Sequence, residues 1–175
     1  MTITVPTGTA ARRYDVPVTF TASGGTVRTT IAVNVHPRTS TSNIALTGTA
    51  TASCVEGGGA YPQFDPKYAI DGDLTTRWSS CSDDSAWLQV QLPASATIGK
   101  VVLHWEAAYG KAYAIQTSTD GVTWTTAATV TAGDGGTDSV YLDGTPSAKY
   151  VRMQGVQRAT QYGYSIYEMQ VYPVA

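Results

Sequence analysis

Charge is scarce in this sequence. Asp, Glu, Lys and Arg together make up 14% of its 175 residues, and the formal net charge is −2. Without a basic excess, neither nucleic acid nor an anionic membrane surface is the expected partner. Long apolar runs are also missing, and none approaches the roughly 18 residues needed to cross a bilayer. The residues after Met1 show no signal-peptide pattern and turn strand-like at once, so the chain is read as part of a larger protein. No stretch holds apolar residues at helical spacing for three turns. What remains is rich in Thr, Ser, Gly, Val and Tyr, the composition of an all-β chain.

Cysteine occurs twice, at Cys54 and Cys81. In a Thr/Ser/Gly-rich chain that resembles exported bacterial proteins, an even count points to a disulfide closing a loop of about 27 residues. Two unpaired buried thiols are the alternative, and a metal reading is weaker because only His36 and His104 could assist.

Residues 14–37 alternate apolar and polar positions on both sides of Ser23-Gly24-Gly25, as a β-hairpin does. Two strands alone cannot bury their faces. Residues 1–37 are therefore expected to be the C-terminal strands of an immunoglobulin-like domain, with 38–43 a polar linker. From residue 44, short strand candidates follow one another: 86–92, 100–106, 112–118, 124–130, 138–142, 149–156 and 167–173. Turn signals separate them, including Asp120-Gly121 and the longer "AGDGGTD" loop at 132–138.

Five blocks in a fixed order, "AIDGDLTTRWSS", "AWLQVQL", "KVVLHWEAAYGKAYAIQTSTDGVTW", "KYVRMQG" and "YGYSIYEMQVY", resemble the discoidin or coagulation factor 5/8 type C domain. The resemblance is nearest to carbohydrate-binding module family 32. It covers residues 44–175 and implies an eight-stranded antiparallel jelly-roll β-sandwich of the galactose-binding type, with ligand loops at one tip. It also implies a secreted, non-catalytic domain appended to a glycoside hydrolase, binding an oligo- or polysaccharide as a monomer.

Asp71, Asp73 and Thr76 place three oxygen-bearing side chains within six residues around Gly72, and hard oxygen donors in an irregular loop suit Ca²⁺. The resemblance extends that set to the carbonyls of Tyr68, Asp73 and Tyr167 and the side chain of Glu168, as a structural calcium site. A hydrogen-bonded Asx turn capped by Thr is the alternative. Trp78 is expected in the core.

For sugar recognition the resemblance implies Glu56, Arg77, Glu106, Arg158 and Tyr162. Tyr164, Tyr61 and Lys111 are further candidates, with one of Tyr162 and Tyr164 expected to be core. One departure stands out: relatives often carry an aromatic shortly after "RWSS", where this chain has Cys81-Ser82-Asp83-Asp84. An acidic rim of Glu56, Asp83, Asp84 and Glu106 favours a cationic sugar such as glucosamine, with neutral glucan or mannan also open. Two other functions compete. Glu56 and Glu106 could serve as a hydrolytic carboxylate pair, and Tyr61 and Phe64 could anchor a calcium-stabilised adhesion module on a membrane or protein.

Overall fold

The computed structural model describes residues 2–6, 9 and 12–175. The chain separates into two compact units, Met1–Arg38 and Thr39–Ala175.

In the first unit, β1 (Arg12–Ala22) and β2 (Gly25–Val35) form an antiparallel hairpin. Its register runs from Arg12↔Val35 to Ala22↔Gly25, leaving Ser23-Gly24 as the turn. Gly25 takes φ +138°, which a side chain would resist. None of this unit's described residues is buried, and the cross-strand neighbours Phe20 and Val27 are both exposed. This hairpin is what the structure shows of the expected immunoglobulin-like segment; residues 1, 7, 8, 10 and 11 of that segment lie outside the described residues.

The second unit begins earlier than residue 44. Thr39 bridges Val174, the Ser40 N–H donates to the Pro173 carbonyl at 2.8 Å, and Asn43 Oδ1 accepts from the Val171 N–H at 3.0 Å. Residues 39–43, expected as linker, are thus fastened along the last strand. Short polar side chains make this possible, because the same groups that suit a linker also bond a strand edge.

Eight antiparallel strands follow: β3 (Thr49–Ala52), β4 (Trp78–Ser79), β5 (Trp87–Trp105), β6 (Gly110–Ser118), β7 (Thr125–Val130), β8 (Thr137–Tyr141), β9 (Ser147–Arg158) and β10 (Ser165–Pro173). One sheet runs β3-β5-β9-β6-β7 and the other β4-β10-β5-β8. Strand β5 belongs to both. Its first half pairs with β3 and β9, and from Ile98 onward it pairs with β10 and β8. The sequence divides this strand into two at Pro93 and Gly99. In the structure the chain bends there instead of stopping, with a register shift between Gln91 and Ala96 where Pro93 cannot donate to the ladder.

Alternation along the strands fills the space between the sheets. Leu88, Val90 and Leu92 of β5, Tyr113 and Ile115 of β6, Val151 and Met153 of β9, and Ile166, Met169 and Val171 of β10 are all buried. Each such large apolar side chain contributes roughly 1.5–3 kcal/mol by leaving water. Trp78 is fully buried and donates its indole N–H to the Cys54 carbonyl at 3.2 Å, so its expected core role is what the structure shows.

One polar group is built into the core edge. Asp138 Oδ2 accepts from Trp105 Nε1 at 2.9 Å and from Tyr113 Oη at 2.6 Å. Burial, then the Asp138 bond, pushes the Tyr113 phenol far above its ordinary pKa. Asp138→Ala strands two donors and is expected to destabilise by about 2–4 kcal/mol, with Asp138→Asn less harmful because it keeps an acceptor. Thermal unfolding of the two variants measures the difference.

Candidate functional site

The loops leaving β3, β4 and β9 meet at one end of the sandwich, the first two joined covalently and the third by hydrogen bonds. Cys54 and Cys81 form a disulfide, as the even cysteine count suggested. Around it, the Cys81 N–H donates to Cys54 Sγ, and Ser79 Oγ donates to Glu56 Oε2 at 2.7 Å. Glu56 is therefore aimed by the strand that carries Trp78. A cleft of about 220 Å³ opens beside it, lined by Glu56, Gly57, Ser80, Cys81, Tyr162 and Gly163 among others.

Tyr162 is 64% exposed, the aromatic face of this cleft. Its loop is held by Arg158, whose Nε donates to Asp84 Oδ1 at 2.9 Å and whose Nη1 donates to the Gln161 and Tyr162 carbonyls, both at 3.1 Å. The Arg158 backbone N–H bonds the same Asp84 oxygen at 2.9 Å. These hydrogen bonds hold the Asp84 carboxyl below its ordinary pKa, and bonds from the Ser85 backbone and hydroxyl do the same for Asp83. Both stay ionised at neutral pH, with the Asp84 charge met by the Arg158 guanidinium and Asp83 in no ion pair among the described residues. Arg158, expected to reach ligand, has most of its donors committed to shaping the loop.

Tyr164 is the core member of the tyrosine pair, which corrects its place among the ligand candidates. It is fully buried, with its ring 6.3 Å from that of Trp105 and its hydroxyl donating to the Asp84 carbonyl at 2.8 Å, and so cannot touch a ligand. Burial pushes its phenol up to about 12. Two glycines admit this packing, since a Cβ at Gly155 would strike the Tyr164 ring and one at Gly163 would strike the Ser80 carbonyl.

The other candidates distribute as follows. Arg77 lies with its guanidinium carbon 4.6 Å from the Phe64 ring centroid, and its Nε is buried without a partner. Tyr61 stands edge-on to Phe64 at 6.1 Å and is half exposed. Glu106 is tied to the same end, its N–H donating to the Ser165 carbonyl and its Oε2 accepting from the Ala108 N–H. Ser165 in turn pairs with Ser79, the residue that aims Glu56. Lys111 instead donates to the Gly133 carbonyl at 3.3 Å, fastening the 132–138 loop. No local pattern marks Ser80, which accepts from the Tyr164 N–H, nor Asp84 as the residue that sets the Tyr162 loop.

The acidic loop is a second, distinct feature. Thr76 Oγ1 lies 2.8 Å from Asp71 Oδ2, 3.0 Å from the Asp73 carbonyl and 3.5 Å from the Tyr68 carbonyl. A hydroxyl has one proton to give, so these three oxygens compete for it, although the Asp73 carbonyl also accepts from the Thr76 backbone N–H at 3.3 Å. Gly72, at φ +82°, permits the curvature and donates its N–H to Glu168 Oε2 at 3.1 Å. Glu168 is 1% exposed, and its Oε1 has no partner. A register shift between Ile166 and Glu168 leaves Tyr167 bulged, which turns the carboxylate inward beside the loop. Burial, with Asp71's charge adding, pushes the Glu168 carboxyl up to about 7 despite the Gly72 bond. Among the described residues no three His, Cys, Asp or Glu side chains form a metal cluster; this set combines two carboxylates with carbonyls and a hydroxyl. An orphaned buried carboxylate oxygen, on a side chain bonded to a loop rich in oxygen donors, fits a hard cation.

Known proteins match this architecture. Chitosan-binding module 1 of a chitosanase/glucanase from Paenibacillus sp. IK-5 is 47% identical, with a TM-score of 0.68, over 75% of this chain and 98% of that one. Module 2 of the same enzyme, solved with chitotriose, is 36% identical, with a TM-score of 0.69, over 74% of this chain and 99% of that one. A polysaccharide lyase 8 family protein, HylA, from Enterococcus faecalis is 40% identical over 111 residues, 59% of this chain. The chain spans only 8% of that relative's length. Residues 39–169 match the F5/8 type C domain, and the chain belongs to that family.

Proposed function

We propose that this chain is a carbohydrate-binding module that holds an attached, exported glycan-degrading enzyme on its polysaccharide and breaks no bond itself. The observation that carries this reading is the cleft in which an oriented carboxylate, Glu56, and an exposed phenol ring, Tyr162, face water together. A pyranose offers an apolar C–H face to an aromatic ring and hydroxyls or an amine to polar groups. Glu56 accepts from the sugar's polar groups, Tyr162 covers its apolar face, and Arg158 positions the tyrosine from below. The Glu56 carboxylate in the cleft, with Asp83 on the neighbouring loop, favours a cationic amino sugar, in keeping with the chitosan-binding relatives. Neutral β-glucan is the second choice.

Affinity at one site is expected at roughly 10 µM to 1 mM, because an open sugar site gains little net free energy per hydrogen bond. Attachment to an enzyme raises the effective concentration and supplies the rest. Binding to chitosan, β-1,3-glucan, mannan and galactoside oligosaccharides, compared by titration calorimetry, tests the reading. Chitosan oligosaccharides should bind tightest. Glu56→Gln and Tyr162→Ala should each weaken them at least about tenfold with an unchanged unfolding temperature. No binding to any of the four, or equal binding by both variants, contradicts it.

The acidic loop is assigned to calcium. Asp71, Thr76, Glu168 and the carbonyls of Tyr68, Asp73 and Tyr167 would hold it. The ion would neutralise the buried Glu168 and tie the loop to β10, a structural role away from the sugar.

A further inference from the structure

The outer face of the five-stranded sheet carries a second constellation that the loop cleft does not use. Trp87, Gln89, Arg152, Gln154 and Gln116 occupy outward positions, alternating with the buried Leu88, Val90, Val151, Met153 and Ile115. Register places Gln89 and Gln116 on either side of Arg152, and Trp87 opposite Gln154. Trp124, from the β6–β7 loop, closes over the group, its ring centroid 4.1 Å from the Arg152 guanidinium carbon, with Trp87 at 5.7 Å.

Two facts set the charge of this face. The strands β3, β5, β6, β7 and β9 contain no Asp or Glu. The two ion pairs among the described residues are Arg13–Asp15 and Arg158–Asp84, so Arg152 has no carboxylate partner. Its Nε donates to neutral Gln116 Oε1 at 2.7 Å, and partial burial pushes its pKa down from the ordinary guanidinium value. A cation that is partly desolvated and fixed in orientation, with its charge met only by an amide and two indoles, is complementary to an anion. The half-buried indoles and Gln89, opposite Arg152, narrow the anion further. Ring faces suit the apolar side of a pyranose, and the Gln89 amide suits its hydroxyls, while Gln154 is engaged with the Ser85 and Gly155 carbonyls and Gln116 with Arg152 and Thr126.

We infer that this sheet face is a second carbohydrate site, selective for a sugar unit bearing a carboxylate, which the Arg152 guanidinium engages between Trp87 and Trp124. It is independent of the loop-tip reading and has the opposite charge preference. A purely structural staple, with Arg152 serving only to pin Trp124 to the sheet, predicts no ligand at all.

The test uses the full chain, a hexuronic-acid oligosaccharide and its carboxyl-reduced counterpart, followed by tryptophan fluorescence and titration calorimetry. The acidic oligosaccharide should alter tryptophan emission and bind in the micromolar to millimolar range. Arg152→Gln and Trp124→Ala should each weaken it by about tenfold or more, as should carboxyl reduction of the sugar, while Tyr162→Ala should leave it unchanged. Trp124 lies outside the strands, so Trp124→Ala carries the test if Arg152→Gln fails to fold. No binding at millimolar sugar, full binding by Trp124→Ala, or loss of binding in Tyr162→Ala overturns the inference. The last result would place the acidic sugar in the loop cleft.

Discussion

Chelation of calcium is expected to lower the unfolding temperature of the family 39–175 unit by about 10 °C. A ligand present at 100 times its dissociation constant stabilises the folded state by about 2.7 kcal/mol, and a domain of this size shifts by roughly 3–4 °C per kcal/mol. The physical source is Glu168. Its carboxylate is 1% exposed, with one oxygen unpartnered, and the three oxygens around Thr76 Oγ1 compete for its one proton. Without a cation these groups repel or must take up a proton; with one they become its shell. Glu168→Gln separates the two situations. In chelator the variant should be at least as stable as the parent chain, because a buried charge has been removed. In calcium it should gain little. A parent chain whose unfolding temperature ignores both chelator and added calcium would refute the assignment.

Replacing both cysteines by serine should cost about 3.5 kcal/mol, the chain-entropy value for a 27-residue loop, and again lower the unfolding temperature by roughly 10 °C. This loop contains the acidic segment of residues 68–76, Glu56, Tyr61 and Arg77, so the bond fastens both features to the sandwich. Sugar binding should weaken as well, because Glu56 enters the cleft two residues after Cys54. Differential scanning calorimetry on oxidised and reduced parent chain, beside the double variant, measures the effect. Identical transitions would mean that Trp78 and its bond to the Cys54 carbonyl hold the loop unaided.

The strands after residue 86, the disulfide and the core role of Trp78 were legible in the sequence because each leaves a local mark: alternation, an even cysteine count, an aromatic at a strand start. Strands β3 and β4, four and two residues long, are too short to show alternation and were not among the candidates. Where the reading failed, the deciding partner lay far along the chain. Pro93 looks like the end of a strand, and only the second sheet shows that β5 bends through it. Tyr162 and Tyr164 are two residues apart in a single motif, yet one is exposed and the other buried, because Gly155 and the Asp84 carbonyl make room for the second ring. Arg158 reads as a ligand group until Asp84, 74 residues away, is found holding it. Residues 39–43 read as linker because nothing local reveals that β10 will lie beside them.

The claim that Glu56 and Tyr162 form the sugar site is tested most directly by an amide NMR titration with a chitosan oligosaccharide. Saturable shifts are expected at Glu56, Gly57, Ser80, Ser82, Tyr162 and Gly163, with Lys111 and the hairpin of residues 12–35 unmoved. Saturable binding that leaves those six amides in place and shifts another surface would contradict it.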